Sequence, residues 1–129
     1  MDSVTQRSVD RFAKAVASLD KALSLEQLPE RAERDAALLR FELAAELMPK
    51  VLRRILSERG AEAILPKDTV RSATAAHIIA DEIATALLAA IDDRNRMVHD
   101  YNEDFSEGLF GRIRHQYAPA FQNLLASVQ

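Results

Sequence analysis

The chain has 129 residues, 48% hydrophobic and 29% charged, which is the balance of one globular domain and excludes a wholly disordered protein. Three Gly and four Pro are too few for a turn-rich sandwich or barrel, and the absence of Cys excludes disulfides, thiolate metal sites and a cysteine nucleophile. A net charge of −3 excludes a bulk nucleic-acid binder, and no apolar run approaches the roughly 20 residues of a membrane span.

In chain order, Val9, Phe12, Val16, Leu19 and Leu23 recur at intervals of three and four, predicting a first helix. Its N-terminal MDSVTQRSVD lacks the charged-then-apolar layout of an export signal, so a cytoplasmic location is expected. Pro29 suits the first turn of a second helix. There Leu38, Phe41, Ala45, Met48, Leu52 and Ile55 form a heptad-like seam that ends at Gly60. This helix should run about 30 residues, or about 45 Å, with a kink at Pro49. So long a rod exposes more seam than a small domain covers, and a second copy of the chain could cover the rest. A homodimer is therefore expected.

Pro66-Lys67-Asp68 opens a short helix through about His77, and Asp81 is the expected N-cap of the fourth. Ile83, Leu87, Ala90 and Ile91 give that helix a buried face, and its pattern persists to about Val98 or Asp100. After Asn102-Glu103-Asp104, Asp104 with Glu107 resembles a capping box for a last helix lined by Phe110, Ile113, Tyr117, Phe121 and Leu124. Gly108 and Gly111 there suggest close approach of another helix, and Pro119 a second kink. The expected fold is all-α: one domain over residues 1–129, an antiparallel up-and-down bundle of four to five helices.

Chemistry concentrates in Asp92-Asp93-Arg94-Asn95-Arg96-Met97-Val98-His99-Asp100-Tyr101. His suits proton transfer near neutrality, and Arg offers a permanent charged fork for phosphate. Together they suffice for metal-free cleavage of RNA by its own 2'-hydroxyl, with Asn95 orienting His99 or the phosphate. Arg94 and His99, five residues apart, lie about 140° round an ideal helix. Either the helix unwinds near His99, or two copies of the segment meet across a two-fold axis. A plainer reading also exists, since cations near a helix C-terminus complement its dipole. Asp92 and Asp93 read as a solvated face, Tyr101 as a core-edge residue, and His77 and His115 as structural or exposed rather than metal ligands. Six acids between Asp92 and Glu107 oppose a polyanion, and Lys50, Arg53, Arg54, Arg59, Arg112 and Arg114 are the basic groups that could compensate.

Arg94-x4-His99-x-Tyr101, with Asn95 after the Arg, resembles the R-N-x-x-x-H-x-Y signature of the HEPN superfamily. More particularly the chain is similar to the nucleotidyltransferase substrate-binding proteins, HEPN partners of minimal nucleotidyltransferases (MNT). Arg40-Phe41-Glu42-Leu43, Pro66-Lys67-Asp68 and His99-Asp100-Tyr101-Asn102-Glu103 look like further segments of that family, over roughly Val9 to Leu125. The resemblance implies a dimer with both motifs at its interface. It also implies a toxin–antitoxin pair: a metal-independent endoribonuclease toxin, without cofactor, neutralised by a nucleotidyltransferase that transfers AMP to the motif tyrosine. Carried over by position, Arg94 and His99 are the catalytic pair, Asn95 is auxiliary and Tyr101 is the AMP acceptor. RNA would be a transient substrate, with neither DNA nor membrane a partner. The alternative is a non-catalytic subunit that holds a nucleotide or other substrate for the partner enzyme, which the acidic motif surroundings favour.

Overall fold

A computed structural model describes all residues, Met1–Gln129, and contains helices and turns but no strand. Helix α1 spans Ser3–Leu23, a 3-10 turn Pro29–Arg31, α2 Ala32–Glu58, α3 Pro66–Ala75 and α4 Asp81–Arg96. The last rod consists of α5 (Glu103–Arg112), a wide π turn (Ile113–Tyr117) and α6 (Ala118–Val128), joined through right-handed backbone without a break. No helix is long and apolar enough to cross a membrane.

Helix α2 is the spine, packing against α1, α3, α4 and α5. All six seam residues from Leu38 to Ile55 are buried, as are Val9, Phe12, Val16 and Leu19 of α1. The helix covers 27 residues, about 40 Å. Gly60 ends it in left-handed backbone (φ +79°), which lets the Ala61 N–H donate back to the Leu56 carbonyl at 2.9 Å. Pro49 lies inside the helix and is buried, and the helix continues through it. An aromatic cluster fastens the spine to the last rod: Phe41 stacks on Tyr117 (5.5 Å between ring centres) and on Phe121 (6.1 Å), and Phe12 meets Phe121 edge-on.

Three local expectations need correction. The N-cap of the last rod is Asn102, whose side chain accepts from the Phe105 N–H at 2.9 Å, rather than Asp104. Asn102 has the extended backbone a cap requires, so Asp104 falls inside the first turn, where its charge complements the helix dipole. Likewise Asp81 is the first residue of α4 and Ala80 occupies the cap position. The glycines do not mark a close crossing: a Cβ at Gly111 would touch nothing within 4 Å, and one at Gly108 only the Arg112 side chain of its own helix. Pro119, the second residue after the π turn, cannot donate to the carbonyl four residues back, so the widened turn falls where an α-helical bond is missing.

A charged cluster ties the start of α2 to the start of α5. The buried Arg34 guanidinium donates to Glu103 at 2.5 Å, to Glu107 at 2.9 Å and to Asp35 at 3.0 Å. The hydrogen bond from Arg34 holds the Glu103 carboxyl below the ordinary glutamate value of 4.5. A depressed folded-state value contributes stability that is complete above about pH 4.5 and disappears as pH falls through the lowered value. The urea midpoint is therefore expected to drop on acidification from about pH 6 to about pH 3, and Glu103→Gln to flatten part of that drop. An acid limb identical in the two proteins would contradict the assignment.

Candidate functional site

The motif segment begins in the last turn of α4, and the helix stops at Arg96, earlier than its sequence pattern suggests. Met97 to His99 form a turn in which the His99 and Asp100 N–H groups both donate to the Arg96 carbonyl, at 3.0 and 2.8 Å. Met97 is buried and pins the turn, while Val98, His99, Asp100 and Tyr101 are exposed. The helix thus ends just before His99, which removes that residue from the helical register of Arg94.

Arg94 and Asn95 line a cavity of about 310 Å3 between α4, α2 and the entry to α3, together with Glu46, Pro49, Lys50, Arg53 and Thr69. The nearest carboxylate to the Arg94 guanidinium is Glu46, at a loose 3.9 Å, and the buried Nε makes no hydrogen bond. An N–H of a charged group without an acceptor in a partly enclosed site is costly and favours an incoming anion. His99 is not among the lining residues of this cavity. Tyr101 borders a separate hollow of about 150 Å3 with Leu38, Leu39, Glu42 and Met97. Within one chain the structure therefore joins Arg94 to Asn95 but seats His99 and Tyr101 on the adjoining exposed loop. Around that loop lie large apolar side chains open to solvent: Leu39 (68% exposed), Leu43 (51%), Val98 (69%) and Tyr101 (58%). Leu39 and Leu43 are one turn apart on α2, so they share a face.

The acidic surroundings are mostly neutralised within the chain. Asp92 pairs with Lys67, Asp100 with Arg96, Asp93 with Arg112, and Glu103 and Glu107 with Arg34, which leaves Asp104 alone without an ion-pair partner. Asp93 also corrects the sequence reading: it is buried, not solvated. It accepts from the Arg112 Nε at 2.7 Å and Nη2 at 3.1 Å, and from the Tyr117 hydroxyl. Burial first, and the Asp93 carboxylate second, push the Tyr117 hydroxyl well above its usual value, so it stays protonated and donates. Arg112 is therefore committed to structure, and Arg114 donates to the Leu23 carbonyl. Lys50 and Arg53 do line the cavity that holds Arg94. Sequence reasoning did not place them there, although Glu46, Lys50 and Arg53 stand at i, i+4 and i+7, on one face of α2.

A model of the family described as "Nucleotidyltransferase substrate binding protein like" matches residues 7–129. A crystal structure of a protein from Thermus thermophilus is similar at 36% identity and a TM-score of 0.83, over 92% of this chain and 98% of that one. The tri-AMPylated Shewanella oneidensis HEPN toxin in complex with MNT antitoxin gives a TM-score of 0.81 at 13% identity, over 99% of this chain and 98% of that one. A mutant of the MntA–HpeT toxin–antitoxin gives 0.82 at 12% identity, over 98% of each chain. At such low identity the last two establish likeness of fold. No curated protein matches the sequence.

Proposed function

The chain belongs to the nucleotidyltransferase substrate binding protein like family, and from that premise we propose that it is the HEPN toxin of a toxin–antitoxin pair, a metal-independent endoribonuclease. The observation that carries this reading is Arg94: a half-buried guanidinium with an unbonded Nε and only a distant carboxylate, next to a loop that leaves His99 open to solvent. In the reaction, His99 takes the proton of a ribose 2'-hydroxyl as its oxygen bonds to the adjacent phosphorus. The bond from phosphorus to the 5'-oxygen breaks, and that oxygen receives a proton. Arg94 stabilises the negative charge that builds on the phosphoryl oxygens. Asn95 orients the phosphate from the cavity wall.

The active form is a homodimer in which the exposed Leu39, Leu43, Val98 and Tyr101 meet their counterparts, bringing two motif loops together. Such a contact supplies His99 of one protomer to the phosphate held by its partner, which the single chain does not do. The neutralising partner is a minimal nucleotidyltransferase. It directs the Tyr101 hydroxyl onto the α-phosphorus of ATP with loss of pyrophosphate, and the added bulk and negative charge repel RNA from the loop. The exposure of Tyr101 supports this role.

A second reading has its own support: the cationic cavity with Lys50, Arg53, Thr69 and Arg94 is of a size to hold part of a nucleotide for a partner enzyme. RNA cleavage by the purified protein in EDTA is expected under the first reading and absent under the second. Co-expression with the nucleotidyltransferase should add one or more AMP units to the intact mass, mapping to Tyr101. Adducts confined to other residues would remove Tyr101 from the scheme.

A further inference from the structure

Two hollows on the bundle share a wall. The cavity at Arg94 and a groove of about 370 Å3 between α1 and α2 are both lined by Lys50 and Arg53. The groove adds Arg54 of α2 and Arg7 and Arg11 of α1, the last two one helical turn apart. A single cationic line therefore runs from Arg94 across α2 to α1. Arg7, Arg11, Arg53 and Arg54 have no carboxylate within 4 Å, and Lys50 has only Glu46, at 3.8 Å. In a chain of net charge −3, whose acids near the motif are almost all paired, this is a marked local excess of free positive charge.

We propose that this line is the path of a single-stranded RNA, whose backbone leaves the phosphate at Arg94, crosses Lys50, Arg53 and Arg54, and ends on Arg7 and Arg11. The proposal rests on the ribonuclease reading and extends it to the class of substrate, an unpaired strand several nucleotides long. A groove of spaced, flexible cations follows a phosphate backbone without reading sequence. An acidic protein surface suits it less well, because protein interfaces centre on apolar and aromatic anchors and the groove offers only Val4 and Leu47. A single nucleotide at Arg94 would leave the α1 end untouched. The same line explains how a protein of acidic average charge holds a polyanion: the contact is local, as a transient substrate requires.

The test uses the full chain carrying His99→Ala, so that RNA is bound without being cut, and a labelled single-stranded oligoribonucleotide of about 12 nucleotides. Fluorescence anisotropy measured against salt gives affinity and its salt slope. Adding Arg7→Gln and Arg11→Gln removes two phosphate contacts far from the motif. The salt slope should become shallower by about 1.4, and affinity near 0.1 M salt should fall about 25-fold. Both side chains are exposed, and an unchanged thermal midpoint verifies that the bundle is intact. Unaltered affinity and slope overturn the path, as does failure of the His99→Ala protein to bind the strand. So does a double variant that keeps RNA but loses the nucleotidyltransferase, which would make the groove a protein-docking face. Binding with the expected slope by a protein that never cleaves RNA retains the path and discards the ribonuclease reading, so the two failures are distinct.

Discussion

Replacing His99 by Ala is expected to lower the rate of RNA cleavage by about 10²- to 10⁴-fold, the usual contribution of one positioned acid–base group. Arg94→Ala should cost a similar amount, about 10²- to 10³-fold, through lost stabilisation of the phosphoryl charge. The two differ in what else they disturb. His99 is exposed on a turn, so its removal should leave stability within about 0.5 kcal/mol of the parent. Arg94 is half-buried against α2, and its truncation also opens the cavity wall, so a modest loss of stability should accompany the loss of rate. Arg94→Lys is a poor rescue, because an ammonium cannot reproduce the planar fork. Single-turnover cleavage in EDTA measures all three. Cleavage by His99→Ala at the parent rate would remove His99 from the chemistry.

The largest effect on folding is expected at Asp93, where substitution by Ala should destabilise the chain by about 3 kcal/mol. Its carboxylate is the sole acceptor of the buried Tyr117 hydroxyl and the anion opposite Arg112. Removing it strands a hydroxyl in the core, worth about 1–3 kcal/mol, and leaves a guanidinium without its counter-charge. Arg112 is about one-third exposed, so water screens much of the second contribution and the hydroxyl dominates. The thermal midpoint should fall by roughly 10 °C for a domain of this size. Asp93→Asn, which retains an oxygen for Tyr117, should lose noticeably less. A midpoint within about 2 °C of the parent for Asp93→Ala would show that the carboxylate does not hold the two helices.

The bundle itself was readable because its apolar spacing is local information. The α2 seam, the Gly60 stop and the start of α3 at Pro66 all stand where the periodicity places them. Buried charge was not readable in the same way. Asp93 beside Asp92 looks like a solvated pair, although Ala86, Ala90, Asp93 and Met97 follow one helical stripe and so carried the signal. Arg34 is buried where α5 arrives with Glu103 and Glu107, residues some seventy positions away, and the start of α2 bears no mark of it. The motif segment could be singled out by its residues, whereas the environment of each side chain depended on the third dimension. Nothing in the sequence tells that the acids around Arg94 are spent on internal partners while Lys50 and Arg53 stand beside it.

The loop with His99 and Tyr101 is short and fastened at both ends, by Asp93 to Arg112 and Tyr117 before it and by Glu103 to Arg34 after it. It resembles a taut cord between two posts, each sunk in a different part of the scaffold. Whatever is hung on the cord is borne by solvent and by whichever molecule grips it, not by the timbers behind. A group attached to that loop would therefore meet solvent, and the frame behind it would stay as it is.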